Sequence, residues 1–480
     1  MDGTKSAVPH DRKRWFALAV LCMGVLMIVL DMTIVNVALP TIREHLKFSE
    51  SSLAWVINAY LLTSGGFLLL GGRLGDLYGH RRMFLIGIAA FTLASLACGL
   101  ANSQPMLVVA RATQGLGGAV VDAVSLSLIV DLFTETGDRA KAMGVYGFVC
   151  SAGGSIAAVI GGLLVNSFDW HWIFLVNIPI GIAVIALSLS LVPASKQAGA
   201  DRHLDVGGAV TVTTALMLAI YAIVNGNEAG WASTQTLGLL AGSVVLLIVF
   251  GVIESHVKVP LMPLSMLRRR NLATANVVGT LWAAAMFAWF FLSALYLQLV
   301  LGYTPMQVGL AFVPTNLIMA VMSLGISAKL VMRFGIKAPL AAGLAFASAG
   351  LLLFARAPVD GTFMLDVLPP MLLLGTGAGI AFNPVLMAVM NDVEPSQSGL
   401  ASGIVNTSFM MGGALGLAVL ASVAGSVTAH QLAGGAAQSV ALNSGYHVAF
   451  FVGALFAALA AVLGLVFMRT SNVSNATPAH

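Results

Sequence analysis

Residues 15–39 read WFALAVLCMGVLMIVLDMTIVNVAL, and the only charge among them is Asp31. A helix rises about 1.5 Å per residue, so roughly 20 apolar residues cross the ~30 Å hydrocarbon layer of a bilayer. Arg12, Lys13 and Arg14 precede the run. It is too long for the apolar region of a signal peptide, about 7–15 residues, and no small-residue cleavage site comes after it. The stretch therefore reads as a first spanning helix with a carboxylate inside it.

The same pattern recurs along the whole chain. The protein has 480 residues, 59% of them hydrophobic and 9% charged, where a soluble protein carries about 25% charged residues. So few charges cannot cover a water-facing surface. β-barrel strands alternate and give no long apolar runs, so the expected fold is an all-α integral membrane protein. The runs predict helices near 15–39, 53–72, 83–101, 105–129, 142–165, 172–192, 206–224, 236–254, 272–298, 308–330, 338–356, 365–390, 402–427 and 447–468. Cys22, Cys98 and Cys150 lie scattered within these runs and read as small core residues rather than as a disulfide or metal set.

Fourteen spans put both termini on one side, and basic residues mark the cytoplasmic side of membrane proteins. With the N-terminus inside, 19 of the 23 Lys and Arg residues fall in inner segments. Only Arg43, Lys47 and Arg356 fall outside, and Arg111 is left within a helix. This lopsided split explains the net charge of +4 without an acidic partner, and no nucleic acid is implied. The expected location is the inner, or plasma, membrane.

Two loops resemble each other. Gly72-Arg73-Leu74-Gly75-Asp76-Leu77-Tyr78-Gly79-His80-Arg81-Arg82 comes after helix two, and Ala328-Lys329-Leu330-Val331-Met332-Arg333-Phe334-Gly335-Ile336-Lys337 after helix ten. Aligning Gly79 with Gly335 sets Asp76 against Met332; helices four and twelve align through Gly115-Leu116-Gly117 and Gly375-Thr376-Gly377. Parallel repeats of six helices, with a substrate cavity between them, are a transporter signature. The expected organisation is a tail at 1–14, a six-helix bundle at 15–192, two additional helices with their flanking loops at 193–271, a second six-helix bundle at 272–468 and a tail at 469–480.

Charges inside a bilayer are costly and usually functional. Away from helix ends the sequence places three: Asp31, Arg111 and Asp122, all in the first half. Helix one runs outward and helix four inward, which puts Asp31 and Arg111 roughly 12 Å and 9 Å from the outer surface, close enough in depth to pair. Asp122, eleven residues beyond Arg111, returns to nearly the same helix face about 16 Å deeper. One reading is a proton site, because burial and a neighbouring guanidinium act oppositely on a carboxyl group and a conformational change can alter both. The other is a static ion pair, with Asp122 satisfied by a hydroxyl such as Ser125. In the 72–82 loop, Gly72, Asp76, Gly79, Arg81 and Arg82 read as a gating latch, in which Asp76 could cap a helix end or pair with Arg81 or Arg82. Gly154, Gly161 and Gly162 in helix five permit close helix packing. Asn36, Gln114, Trp289 and Gln298 are candidates for the substrate cavity, although packing against lipid is the commoner fate for aromatic residues such as those of helix nine. The sequence has no Gly-rich phosphate loop, His-Glu-x-x-His or nucleophile elbow, so it reads as a transporter driven by an ion gradient, without a cofactor.

These residues also resemble a known family. Leu30-Asp31-Met32-Thr33-Ile34-Val35-Asn36-Val37-Ala38-Leu39-Pro40, the 72–82 loop, Arg111-Ala112-Thr113-Gln114-Gly115-Leu116-Gly117 and Trp170-His171-Trp172-Ile173-Phe174-Leu175-Val176-Asn177-Ile178-Pro179-Ile180-Gly181 are similar to motifs of the major facilitator superfamily, specifically its fourteen-helix drug:proton antiporters. The resemblance implies that Asp31 is a proton or cation-substrate carboxylate, that Arg111 takes part in coupling, and that Asp76 and Arg81 belong to the latch. Two departures stand out. The family's helix-five motif has Gly-Pro where Ala157-Ala158 stands here, and helix four carries Asp122-Ala123 where an apolar residue and proline are usual. The expected function is proton-coupled export of small organic, amphipathic or cationic drug-like compounds by alternating access. Its partners are the lipid bilayer, protons and the small-molecule substrate, with a periplasmic adaptor protein as a further candidate. A dedicated exporter of one metabolite or antibiotic, a symporter and a non-transporting receptor are the alternatives.

Overall fold

The computed structural model describes residues 8–49, 51–133, 135–193, 205–258, 260–261, 269–390 and 398–468. Among them there are helices and no strands. Hydrocarbon offers no hydrogen-bond partners, so a crossing segment must satisfy its backbone internally, and a helix does this within one segment. Twelve helical stretches are long and apolar enough to cross a membrane; two shorter apolar ones, Ile156–Ser167 and Pro305–Val321, stand at the fifth and tenth expected positions. The terminal tails and most of the 193–205 and 259–269 segments lie outside the described residues.

The first half comprises α1 (Val8–Leu46), α2 (Trp55–Tyr78), α3 (His80–Gly99), α4 (Gln104–Leu132), α5 (Thr136–Ser167), the short α6 (Trp172–Leu175) and α7 (Asn177–Leu191). Next come α8 (Val206–Ala229) and α9 (Thr234–His256). The second half comprises α10 (Arg270–Leu295), α11 (Pro305–Val321), α12 (Ser327–Phe334), α13 (Lys337–Phe354), α14 (Leu368–Met390), α15 (Ser398–Ala433) and α16 (Gln438–Phe467). Three expected helices differ in detail. Helix one continues through Pro40 to Leu46, as membrane helices allow when neighbours support the freed carbonyl. Helix six is broken at Val176 into α6 and α7. Helix ten is α11 and α12 joined by a π-helical turn at Met322–Ile326.

Alternate helices run in opposite directions, and side chains tie their ends together. At the face where α1 begins and α16 ends, here the terminal face, Arg14 reaches Asp138 at 3.1 Å, Arg81 donates to the Leu189 carbonyl and Arg270 to that of Phe467. At the opposite face Gln104 donates to the carbonyls of Leu46 and Lys47, and Asn443 to that of Ala357.

Glycine sets the closest crossings, and the two halves use it in the same way. A Cβ on Gly117 would lie 2.7 Å from the Phe91 nitrogen in α3; one on Gly377 would lie 2.7 Å from the Ala347 nitrogen in α13. Gly115 abuts α2 at Tyr60, and Gly375 abuts α11 at Thr315. Gly79 and Gly335 end α2 and α12 at φ +91° and +74°, a region that disfavours side chains. The register read from the sequence is thus repeated in three dimensions.

The halves meet through α5 and α11. Backbone of Pro305 and Met306 comes so near Gly162 that a Cβ would sit 2.8 Å away, and Gly309 abuts the Ala158 carbonyl. On its other side α5 packs on α1, where Gly153 meets Leu26 and Val29 and Gly161 meets Ile34. Gly65 and Gly66 of α2 make room for Met410 of α15 and Thr213 of α8. The α8–α9 pair therefore sits beside the contact of α2 and α15. α9 shows Leu237, Val244, Val245, Ile248 and Val252 on its exposed surface, as a helix surrounded by lipid does.

Candidate functional site

Asp31 and Arg111 are brought together. Arg111 Nη1 donates to Asp31 Oδ2 at 2.5 Å, and the two side chains are 0% and 1% exposed, Asp31 being the more enclosed. An ion pair so enclosed persists only when its remaining donors and acceptors are also satisfied. Here they are supplied from α2, α4 and α7, with Ser95 of α3 and the rings of α2 and α6 packed around them. Arg111 Nε donates to the Val56 carbonyl of α2, and its guanidinium lies 4.6 Å over the Tyr60 ring and 5.7 Å from that of Phe174. Gln114, one turn along α4, accepts from Arg111 Nη1 at 2.6 Å and donates to Asp31 Oδ1 at 2.7 Å and to Ser95 of α3 at 2.9 Å. Asn177, the first residue of α7, donates to Asp31 Oδ1 at 3.0 Å. Asp31 thus accepts three hydrogen bonds, all from donor groups, which is the shell of an ionised carboxylate.

The other expected residues have varied surroundings. Asp122 is half-buried on α4; among the described residues it has no hydrogen-bond partner or ion pair, and Ser125 donates instead to the Val121 carbonyl. Gln114, expected in the substrate cavity, is fully enclosed in the Asp31 cluster. Asn36 is buried and its amide donates within its own helix. Gln298 crosses between the halves, donating to the Val37 carbonyl at 2.9 Å. Trp289 is fully buried with the Phe290 ring tilted against it, and Phe290 in turn stacks on Phe312. Helix nine therefore turns most of its aromatic residues inward, not toward lipid. Gly154, the looser member of the helix-five set, has only Asn316 within reach, at 3.9 Å.

The expected 72–82 loop is helical except for Gly79; across that turn Asp76 of α2 pairs with His80 of α3, not with either arginine. His80 Nε2 lies 3.2 Å from Asp76 Oδ1, and its Nδ1 lies 3.2 Å from Asp131 Oδ2 at the end of α4. Carboxylates only accept, so both contacts are hydrogen bonds when the imidazole carries both protons. Gly75 makes room for this ring, since a Cβ there would lie 2.7 Å from it, and Gly79 makes the turn. Gly72 abuts only Ala123. Arg81 is spent on α7, and Arg82 is exposed.

Two participants escape a reading by sequence. Asn177 and His80 lie within quoted motifs, yet nothing in their spacing ties them to Asp31 or Asp76. A signal existed in their chemistry, because both are polar residues at the entry to a spanning helix. Among the described residues no group of three or more metal-ligating side chains occurs.

Comparison with known proteins agrees with this architecture. The chain is 36% identical over 466 residues to the puromycin resistance protein pur8 of Streptomyces alboniger, covering 95% of this chain and 92% of that one. It is 35% identical over 413 residues to the multidrug resistance protein Stp of Mycobacterium tuberculosis strain H37Rv, covering 86% and 76%. Its fold matches the crystal structure of an auto-inhibited POT family peptide transporter with a TM-score of 0.70 at 16% identity, over 98% of this chain and 99% of the other. Residues 21–417 match the Major Facilitator Superfamily as a whole: the chain belongs to that superfamily and is a multi-pass membrane transporter, not an enzyme.

Proposed function

We propose that this transporter exports small organic compounds, amphipathic or cationic and drug-like, across the plasma membrane in exchange for protons. The observation that carries the reading is the enclosed Asp31–Arg111 pair, a titratable group held in the core of a membrane protein where a permanent charge pair is an expensive way to join two helices. Export of drugs accords with the names of the relatives, puromycin resistance and multidrug resistance. The proton enters from outside and is carried on Asp31, and no cofactor takes part. The half-buried Asp122 faces the substrate path and favours cations. The chain crosses the bilayer fourteen times, with α5 and the α11–α12 pair completing the count and both termini in the cytoplasm, as two six-helix bundles flanking α8 and α9. The Asp76–His80–Asp131 cluster with Arg81 acts as the latch of alternating access. A periplasmic adaptor is a candidate partner.

The test is transport into everted vesicles. An inside-acid gradient drives accumulation of a cationic dye, and Asp31→Asn abolishes it while leaving the protein in the membrane. Normal accumulation in that variant sinks the assignment, and uptake only with the reversed gradient makes the protein a symporter. A second reading, a dedicated exporter of one antibiotic, is favoured by the near full-length likeness to the puromycin resistance protein. A susceptibility screen of an efflux-deficient host across dyes, biocides and antibiotics separates the two. A broad profile supports multidrug export, and protection against a single compound supports the dedicated exporter.

A further inference from the structure

Of the groups that donate to Asp31, one is itself incompletely bonded; the Tyr60 hydroxyl nearby is also without a partner, but makes no hydrogen bond to Asp31. Asn177 is 0% exposed. Its Nδ2 donates to Asp31 Oδ1 at 3.0 Å and, at a longer 3.4 Å, to Ser95 Oγ. Its Oδ1 is buried and has no hydrogen-bond partner. A buried amide carbonyl without a donor is uncommon and costs stability. The other side chains hydrogen-bonded to Asp31 are committed. Arg111 can only donate. Gln114 cannot turn over, because its Oε1 already accepts from Arg111 and from the Cys98 thiol, 3.6 Å away. The Ser95 hydroxyl proton goes to the Phe91 carbonyl.

These commitments decide where a proton on Asp31 can point. A carboxylic acid must donate its new O–H to an acceptor. Oδ2 faces Arg111, which offers none. Oδ1 faces Gln114, which is locked, and Asn177, which is not. We infer that Asn177 is the positioning residue that reads the protonation state of Asp31: its side-chain amide turns over, and its carbonyl oxygen accepts the proton of the neutral acid. This rests on the reading of Asp31 as the proton carrier. In the step a hydronium ion gives its proton to Asp31 Oδ1 and leaves as water. The N–H···O bond from Asn177 to the carboxylate is replaced by an O–H···O bond to Asn177, and no covalent bond elsewhere in the protein changes. The charged and titratable groups around Asp31 are Arg111 from α4, Tyr60 from α2 and Cys98 from α3; α7 contributes Asn177.

The position suits a reader. Asn177 begins α7 directly after the break at Val176, so a turn of its side chain acts on a junction, not on the middle of a rigid helix. The short α6 before the break carries Phe174 against Arg111, and Trp170 packs edge-on to Phe174 while donating to His45 of α1. A change at Asn177 therefore reaches the outer end of α1 through packed rings.

Infrared difference spectroscopy on the whole protein in proteoliposomes, between alkaline and acidic buffer, tests the inference. Asparagine labelled with carbon-13 in its side chain marks the amide band, and Asn177→Ser identifies which band belongs to Asn177. On acidification a carboxylic-acid band of Asp31 arises and the Asn177 carbonyl band moves to lower frequency, as a free carbonyl does when it gains a donor. Neither change occurs in Asp31→Asn. In transport, Asn177→Leu loses at least tenfold of gradient-driven accumulation, and Asn177→Ser, whose hydroxyl both donates and accepts, recovers most of it. An Asp31 acid band with an unmoved Asn177 band overturns the inference and leaves Asp31 as carrier. Absence of any Asp31 acid band, with proton-driven transport intact in Asp31→Asn, overturns the carrier reading and this inference with it.

Discussion

The two halves of the molecule share a skeleton and differ in their chemistry. Their glycines fall at the same crossings: Gly117 against α3 and Gly377 against α13, Gly115 against α2 and Gly375 against α11, Gly79 and Gly335 at the turns. Carrying the same register along α4 and α14 sets Arg111 opposite Met371, Gln114 opposite Leu374 and Asp122 opposite Phe382. Met371 and Leu374 are fully buried and apolar, and Phe382 is 41% exposed, with Phe409 edge-on to it. Close backbone approach depends on the absence of a side chain, so it is kept in both copies. A buried charge is tolerated only where partners surround it, and among the described residues only the first half assembles them. Packing symmetry and chemical asymmetry are thus separable, and each can be broken alone.

The largest effect is expected from making the first half resemble the second. Arg111→Met leaves Asp31 enclosed without its cation, which costs about 3–5 kcal/mol. It should lower the thermal unfolding temperature in detergent and abolish transport. Adding Asp31→Asn should recover stability and not transport. Met371→Leu, at the matching place, should change stability by less than about 1.5 kcal/mol and leave transport near wild type. Equal losses from Arg111→Met and Met371→Leu would show the asymmetry to be without consequence.

An intermediate effect tests the shared skeleton. Gly117→Ala and Gly377→Ala each push a Cβ against a neighbouring backbone nitrogen at 2.7 Å, an overpacking that costs roughly 1–3 kcal/mol. The two losses should be alike and, being far apart, additive, read from thermal unfolding of the single and double variants. A marked inequality would mean that the crossings are not equivalent.

The smallest effect concerns the pair at Asp122 and Phe382. Removing the carboxylate should weaken transport of cationic compounds about tenfold, near 1.4 kcal/mol, with little change for neutral ones. Phe382→Ala should act on flat aromatic compounds regardless of charge. Competition assays with matched cationic and neutral substrates read both, and identical selectivity in Asp122→Asn removes that residue from the substrate path.

Much of this arrangement is legible in the sequence. Runs of apolar residues locate the helices, and the depths of Asp31 and Arg111 forecast their pairing. The repeat points to glycines that do the same work in each half. The hidden parts have a common cause. In lipid the outward face of a helix is as apolar as its buried face, so periodicity does not tell which neighbour a side chain meets. Nothing in spacing assigns Gln114 to Asp31 rather than to the cavity, or His80 to Asp76 rather than to water. It likewise does not tell that Trp289 points inward. Helix one is expected over 15–39, yet it continues through Pro40 to Leu46, where hydropathy alone does not follow it.

The Asp31–Arg111 cluster also has an electrical meaning. As it stands, one carboxylate and one guanidinium leave it neutral. A proton on Asp31 leaves the guanidinium uncompensated, so the loaded centre carries one positive charge within the membrane field. A membrane potential acts on such a charge with about 2.3 kcal/mol per 100 mV over the full thickness. If Asp31 carries the proton as proposed, then in a cell that is negative inside voltage pulls the loaded centre in the direction in which the proton gradient pushes it. Turnover should therefore be sensitive to voltage even for a substrate that has no charge of its own.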